Sequence, residues 1–281
     1  MSCAAEKGWP SGLLATAEDG ERAGCAEAWQ PYHDLLNQVP AGEVVDCVVG
    51  LVWTLVTVDT GDAGVALTFR DGLDDSTLPG SVAGADLRAA ASWVMSWNYY
   101  EAALGCASLN AVLNTRERVE EMTGRSVDEL AVSGVGLFDR LAAEFAGGKV
   151  AVVGHFPTIE RMAAHCDLTV LERRPGAGDT PDPACEYVLP EQDLVCITGT
   201  TVTNKTLPRL LELSRSAYVV LVGPSTPLSP VWFDYGVDLL AGAVVTDPLG
   251  VRRCVQEGAH RRVFREGLTT VAIAAADVHC R

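Results

Sequence analysis

Several patterns that would assign a function outright are missing from this chain of 281 residues. Its nine cysteines, Cys3, Cys25, Cys47, Cys106, Cys166, Cys185, Cys196, Cys254 and Cys280, are odd in number and form no CxxC pair. Zinc-type spacing is absent, which removes the common structural zinc folds. There is no GxGxxG dinucleotide fingerprint and no GxSxG nucleophile elbow, so neither a pyrophosphate cofactor nor a hydrolase triad is indicated. No apolar run reaches the roughly 18 residues needed to span a bilayer. The longest candidate, Val48 to Val58, reads as a strand. A secretory leader pattern is not seen, so the expectation is a reduced, cytoplasmic protein whose cysteines serve mostly as buried small hydrophobes. Positive charge is scarce: 21 basic residues stand against 37 acidic ones, net −16. A general nucleic-acid or anionic-membrane binder is excluded on that ground, because phosphate attracts net positive surface.

What is present is ample core material, with 48% hydrophobic residues, and a length that suits two domains. The charge divides unevenly. Residues 1–147 hold 22 acids and 8 bases, whereas residues 148–281 hold 15 and 13, so an anionic small ligand should prefer the second half. Residues 1–27 read as a loosely ordered leader with room for one short helix, and Ala28 to Gln38 as a helix. Val44 to Val58 suits a strand interrupted near Gly50, and Val65 to Phe69 a second strand forming a hairpin. Ala85 to Met95 is a helix, and Ser96 is the expected N-cap of the next one. In that helix Ala103, Ala107 and Ala111 make a small-residue face, while Asn110 and Asn114 share one side. Gly134 to Ala146 reads as a connector, and Gly147-Gly148 as the domain boundary.

From Lys149 the rhythm becomes strand, turn, helix. Strands are expected at Lys149 to Val153, Leu168 to Leu171, Asp193 to Ile197, Tyr218 to Val222 and Ala243 to Val245. Short helices are expected at Pro157 to His165, Leu207 to Ser214 and Pro230 to Tyr235. Fully apolar strands alternating with helices predict a parallel sheet covered on both faces, hence an α/β, Rossmann-like second domain. Ligands of such sheets bind at the carboxyl ends of the strands. Those ends supply the candidates. Gly154, His155 and Phe156 follow the first strand, and His155 is a candidate acid/base or stacking group. Glu172 lies at the end of the second, where a carboxylate takes ribose hydroxyls or simply pairs with Arg173 or Arg174. Thr198, Gly199, Thr200, Asn204 and Lys205 follow the third. That run falls one glycine short of a P-loop, so either it holds an acidic group or Asn204 and Thr206 merely cap a helix. Ser225 and Thr226 stand between two prolines in a rigid turn. In the first domain Trp97, Asn98, Tyr99, Glu101 and Asn110 form the unusual cluster.

These residues resemble a known family. Val152 to Pro157, Leu171-Glu172-Arg173, Leu189 to Asp193, the TGT-x₃-NKT run from Thr198 to Thr206, the GPSTPL run from Gly223 to Leu228 and Gly236-Val237-Asp238 match the DUF364 family, named for heavy-metal chelation. Trp53 to Val56 and the stretch from Trp97 to Ala111 resemble its partner domain, DUF4213. The resemblance implies an enolase-N-terminal-like α+β domain followed by a Rossmann-like domain, with a site between them. It also implies likeness to Rossmann methyltransferases and a role in heavy-metal chelation, or in making a small chelator or pterin-like molecule.

Three functions follow as expectations. The leading one is an enzyme or enzyme-like binder acting on a small polar molecule in metallophore or metal-related metabolism. There Glu172 holds an adenosyl group such as that of S-adenosylmethionine, and Gly154, Phe156, Thr198, Gly199, Thr200, Asn204, Ser225 and Thr226 line the cofactor. His155, Glu101 and Lys205 carry the chemistry, and Trp97, Asn98 and Asn110 close over substrate. The second is a non-catalytic binder of a metal or metal chelate through Cys and His. The third is a structural protein with a vestigial site. A homodimer is compatible with each.

Overall fold

The computed structural model describes residues 23–69 and 80–279. Helix α1 (Ala23–Leu36) leads into an antiparallel sheet of β1 (Val44–Val49), β2 (Trp53–Val58) and β3 (Ala63–Leu67), in that order. Helices α2 (Leu87–Ser92), α3 (Tyr99–Leu113), α4 (Arg116–Thr123), α5 (Val127–Leu130) and α6 (Gly134–Glu144) follow. Next come β4 (Lys149–Val153), β5 (Asp167–Glu172), β6 (Thr180–Pro181), α7 (Cys185–Val188), β7 (Leu194–Thr198), α8 (Thr200–Asn204) and α9 (Leu207–Leu213). The remaining elements are β8 (Tyr218–Val222), α10 (Val231–Asp234), β9 (Leu239–Val245), α11 (Pro248–Gln256) and β10 (Leu268–Ala274). The second sheet runs β10-β9-β8-β7-β4-β5-β6. All its neighbours are parallel except β10, which is antiparallel to β9. This is the expected α/β fold, with one antiparallel edge in place of a wholly parallel sheet.

Helix α3 organises the first unit. Nearly every residue from Glu101 to Leu113 is buried, because the helix is covered on all sides. Small residues make that approach feasible: a Cβ on Gly64 of β3 would stand 2.1 Å from the Ala111 amide nitrogen and 2.3 Å from the Ala107 carbonyl oxygen. The Ala107 and Ala111 face read from sequence is therefore where the helix meets the sheet. Helix α11 covers another part of this sheet, with Val251, Cys254 and Val255 joining Trp53, Leu55 and Val65 in one apolar cluster. Each such aliphatic side chain contributes about 1.5–3 kcal/mol on full burial. Helix α6 puts Leu137, Phe138 and Leu141 into the same cluster as Val150 and Val152 of β4. The stretch read as a connector thus packs with the parallel sheet.

Several sequence expectations are corrected. Val44 to Val58 is two strands, because the Gly50 amide donates to the Trp53 carbonyl and closes a hairpin. The next strand is Ala63–Leu67 rather than Val65 to Phe69. The helix expected from Ala28 begins at Ala23 and accommodates Pro31. Residues 1–22 lie outside the described residues. The short helix expected after β4 spans Ile159–Ala164 and is of the 3₁₀ type. No helix among the described residues is long and apolar enough to cross a membrane.

Candidate functional site

The chain leaves β4 toward β5 on one side and β7 on the other, so the switch point of the parallel sheet lies between β4 and β7. Ligands of open α/β sheets occupy the crevice outside the carboxyl ends there. Glycine pave its floor: Gly154 has φ +102° and a Cβ there would meet Thr198 at 3.0 Å, while Gly223 has φ +118° and faces the Phe156 ring and the Gly199 amide nitrogen at 3.9 Å. Both backbone conformations disfavour any side chain. Thr198 and Thr200 pair through their hydroxyls at 3.1 Å on one rim, and Phe156 is fixed by an aromatic contact with Phe138 at 5.2 Å.

His155 is held three ways. Its backbone amide donates to Glu172 Oε2 at 2.9 Å, its Nδ1 meets both carboxylate oxygens of Asp179 at 3.1 Å, and its Nε2 meets Glu160 Oε1 at 3.2 Å. Burial alone would lower the imidazole pKa, but the hydrogen bond and charge of Asp179, followed by Glu160, outweigh it and raise the value. Asp179 is 5% exposed in its side chain and also accepts from the Gly176 amide at 2.9 Å; that amide, offset by burial and reinforced by His155, lowers its pKa. Glu172 also accepts from the Arg174 amide at 3.2 Å. Two lone-pair positions of its carboxylate serve the loops, which leaves others for hydroxyl donors.

After β7, Thr200 to Asn204 forms α8 itself, so the run that falls one glycine short of a P-loop is helical. Asn204 Oδ1 accepts from the Thr206 amide at 3.1 Å and its hydroxyl at 2.6 Å, a local turn-closing role. Lys205 adopts left-handed φ +64° and its side chain crosses to the first unit. There Nζ donates to the Ser96 carbonyl, and to the Thr203 carbonyl at 2.7 Å, beneath the rings of Trp97 at 5.8 Å and Tyr99 at 5.9 Å. Desolvation lowers its pKa to about 8, against the opposing pull of Cys106 and Glu101. Ser96 is not the helix N-cap. Asn98 takes that place, its Oδ1 accepting from the Tyr100 amide at 3.0 Å, while Ser96 Oγ donates to buried Glu101 at 2.5 Å. Trp97 is 71% exposed at the mouth, braced edge-on by Trp29 at 5.7 Å.

Asn110, Ser225 and Thr226 are placed deeper, in the junction between the units. Ser225 Oγ accepts from the Leu67 amide at 2.9 Å, and Asn110 Nδ2 donates to the carbonyls of Val65 at 2.9 Å and Pro224 at 3.3 Å. Thr226 is fully buried, and a Cβ on Gly199 would sit 2.5 Å from its Oγ1. Asn110 Oδ1 and Thr226 Oγ1 are buried without a hydrogen-bond partner. Cys106 lies here too, its thiol donating to the Ser225 carbonyl at 3.3 Å and pushed up to about 12 by burial. The candidates thus fall into three groups: Gly154, His155, Phe156, Glu172, Thr198 and Thr200 at the ends of β4, β5 and β7, Lys205, Trp97, Asn98 and Glu101 around Ser96, and Gly199, Asn110, Ser225 and Thr226 buried at the junction of the units. Sequence reasoning missed Asp179 and Glu160. Asp179 sits in a Gly/Pro loop and Glu160 in a 3₁₀ turn, and no spacing marks either.

The solved structures of other proteins bear on what this arrangement belongs to. A protein of unknown function from the DUF364 family of Desulfitobacterium hafniense superposes with a TM-score of 0.79 at 35% identity, covering 89% of this chain and 99% of that one. Family models for DUF364 and DUF4213, both described as "Putative heavy-metal chelation", match residues 137–273 and 32–113. The chain belongs to the DUF364 family. A DUF364 protein of unknown function from Pyrococcus horikoshii shares the fold, with a TM-score of 0.71 at 21% identity over 88% of this chain and 99% of that one. An uncharacterized protein of Methanocaldococcus jannaschii is 32% identical over 158 residues, 54% of this chain and 58% of its own length. In this DUF364 member, no group of three or more His, Cys, Asp or Glu among the described residues is arranged to hold a metal ion. Cys106, Cys166, Cys185, Cys196 and Cys254 are buried. The donor set of the described residues therefore does not fit direct metal ligation, since a heavy-metal site needs several converging thiolate or imidazole donors.

Proposed function

We propose that this DUF364 member is an enzyme acting on a small polar molecule held in the crevice between α3 and the carboxyl ends of β4, β5 and β7. In the context of a family described by heavy-metal chelation, such a molecule is a chelator or its precursor, and metal belongs to that molecule rather than to the protein. The observation that carries this reading is Lys205. Its amine comes from the Rossmann-like unit and crosses to the Ser96 carbonyl of the first unit, where desolvation pushes its pKa down to about 8. Perturbed amines in clefts mark acid/base or nucleophilic roles.

The glycine floor and Glu172 also fit an adenosyl group. Gly154 keeps a side chain from crowding Thr198 at this strand end, and Glu172 retains acceptor positions for ribose hydroxyls. S-adenosylmethionine, when bound, supplies an electrophilic carbon beside its sulfonium. His155 would hold a proton on an imidazole positioned by Asp179, and Lys205, its amine 5.8 and 5.9 Å from the rings of Trp97 and Tyr99, would accept or donate one. Titration calorimetry with S-adenosylmethionine tests the cofactor assignment. Saturable binding weakened at least tenfold in Glu172→Gln is expected; absence of heat in the wild type overturns it.

A further inference from the structure

Both ring nitrogens of His155 face carboxylates. Nδ1 lies 3.1 Å from each oxygen of Asp179, and Nε2 lies 3.2 Å from Glu160 Oε1. A neutral imidazole carries a single N–H, so only the imidazolium donates to both acids at once. The two acids are held differently. The Asp179 side chain is 5% exposed, and its Oδ2 accepts from the Gly176 amide at 2.9 Å. Its own amide donates to the Gly176 carbonyl at 3.2 Å, and the next residue, Thr180, pairs with Leu171 of β5. The Glu160 side chain is 67% exposed on the 3₁₀ turn after β4. Glu172 faces the backbone amide of His155 rather than its ring. Arg161 and Arg173, on the same two segments, pair with Asp139 at 3.2 Å and Asp182 at 3.1 Å.

We propose that Glu160 is a proton-dependent cap on His155: it holds Nε2 of the imidazolium and swings off the neutral ring, which leaves an Asp179-oriented lone pair at Nε2 to take a proton from the molecule in the crevice. This deepens the crevice reading above and rests on it for the proton donor. The first proton to leave is the one on Nε2. Loss of the Nδ1 proton would set a lone pair against a carboxylate that its loop fixes in place and covers. Loss of the Nε2 proton repels only Glu160, whose side chain turns into water at little cost. That proton passes to solvent, the Nδ1–H stays on Asp179, and no other bond changes. The uncapped ring is then a base for a hydroxyl or amine proton, and Asp179 stabilises the imidazolium that forms. The imidazole pKa stands above its ordinary value, so the cap is on below that midpoint and off above it.

Two measurements on the full chain test this. The first reads the imidazole nitrogen-15 shifts of His155 above its midpoint. A neutral ring protonated at Nδ1 is expected; a neutral ring protonated at Nε2 overturns the proposal. The second follows carbethoxylation of the neutral ring by diethyl pyrocarbonate, with peptide mass mapping, in wild type and Glu160→Ala. At pH 6 the variant should label at His155 about threefold faster, the equivalent of about half a pKa unit for an exposed pair. At pH 8.5 the two proteins should label alike, and the exposed His33 should label alike at both values. Equal His155 rates at pH 6 overturn the proposal, because Glu160 then holds nothing. A threefold difference that persists at pH 8.5 also overturns it, because the side chain is then a fixed cover. S-adenosylmethionine calorimetry reports on the crevice and these measurements on the ring, so the failure of either is seen apart from the other.

Discussion

The loops after β4 and β8 are made of similar residues and meet opposite fates. Gly154-His155-Phe156-Pro157 opens onto the crevice, with His155 exposed and bracketed by carboxylates. Gly223-Pro224-Ser225-Thr226-Pro227 is roofed by α3 and β3, its polar groups engaged in joining the two units. Polar, Gly/Pro-rich composition at a strand end therefore marks a place where backbone must bend and be satisfied. Whether a ligand or another part of the chain satisfies it depends on what lies above, and α3 lies above β8.

The sharpest way to break this contrast is to attack the roofed loop. Asn114 is 2% exposed; its Nδ2 donates to the Thr226 carbonyl at 2.9 Å and the Ala243 carbonyl at 3.0 Å, and its Oδ1 accepts from the Leu228 amide at 2.7 Å. Asn114→Ala leaves all three backbone groups buried and unpaired, and should cost about 3 kcal/mol or more in urea unfolding. A loss under about 1 kcal/mol would mean that the loop is not structural. Lys205→Met probes the seam between the two regions. Glu101, Cys106 and Tyr99 face this amine, and its folded pKa of about 8 lies below the ordinary lysine value near 10.4. Between those values the unfolded chain binds a proton that the folded one does not. Wild-type stability should thus rise relative to Lys205→Met from pH 8 to pH 10, by about 2 kcal/mol. A flat difference would show that the amine is solvated. The smallest effect belongs to the open loop. Asp179→Asn should lower the His155 pKa, read from its imidazole proton shifts, with little movement of the unfolding midpoint. His155 contributes stability below its unfolded pKa that is lost as pH rises through the raised folded value, and that pH window should shift downward in the variant.

Much of the fold was legible in the sequence. Continuous apolar runs at Lys149–Val153 and Tyr218–Val222 have the same bounds in the structure, because strands buried on both faces carry no competing signal. Asn110 and Asn114 were visible as one polar side of an otherwise apolar helix, the pattern of amide groups that must find buried partners. The Thr200–Asn204 run misled because its β-branched residues favour no helix locally, and burial of Thr201, Val202 and Thr203 imposes one. Asp179 and Glu160 could not be read at all. Their meeting at His155 depends on how two loops fold back over one strand end, a tertiary fact with no sequence spacing behind it.

The cover that α11 gives to β2 has a consequence for synthesis. Trp53 Nε1 donates to the His260 carbonyl at 3.0 Å, a contact that closes over 207 residues, and Val251, Val255 and Val263 join the same apolar cluster. Pairings so distant in sequence form late and slowly. While the chain is being translated, the face of the hairpin around Trp53 stays uncovered until residues 251–263 leave the ribosome. The amino-terminal sheet is made first and finished last, and a chaperone that shields apolar strands would be needed most during that interval.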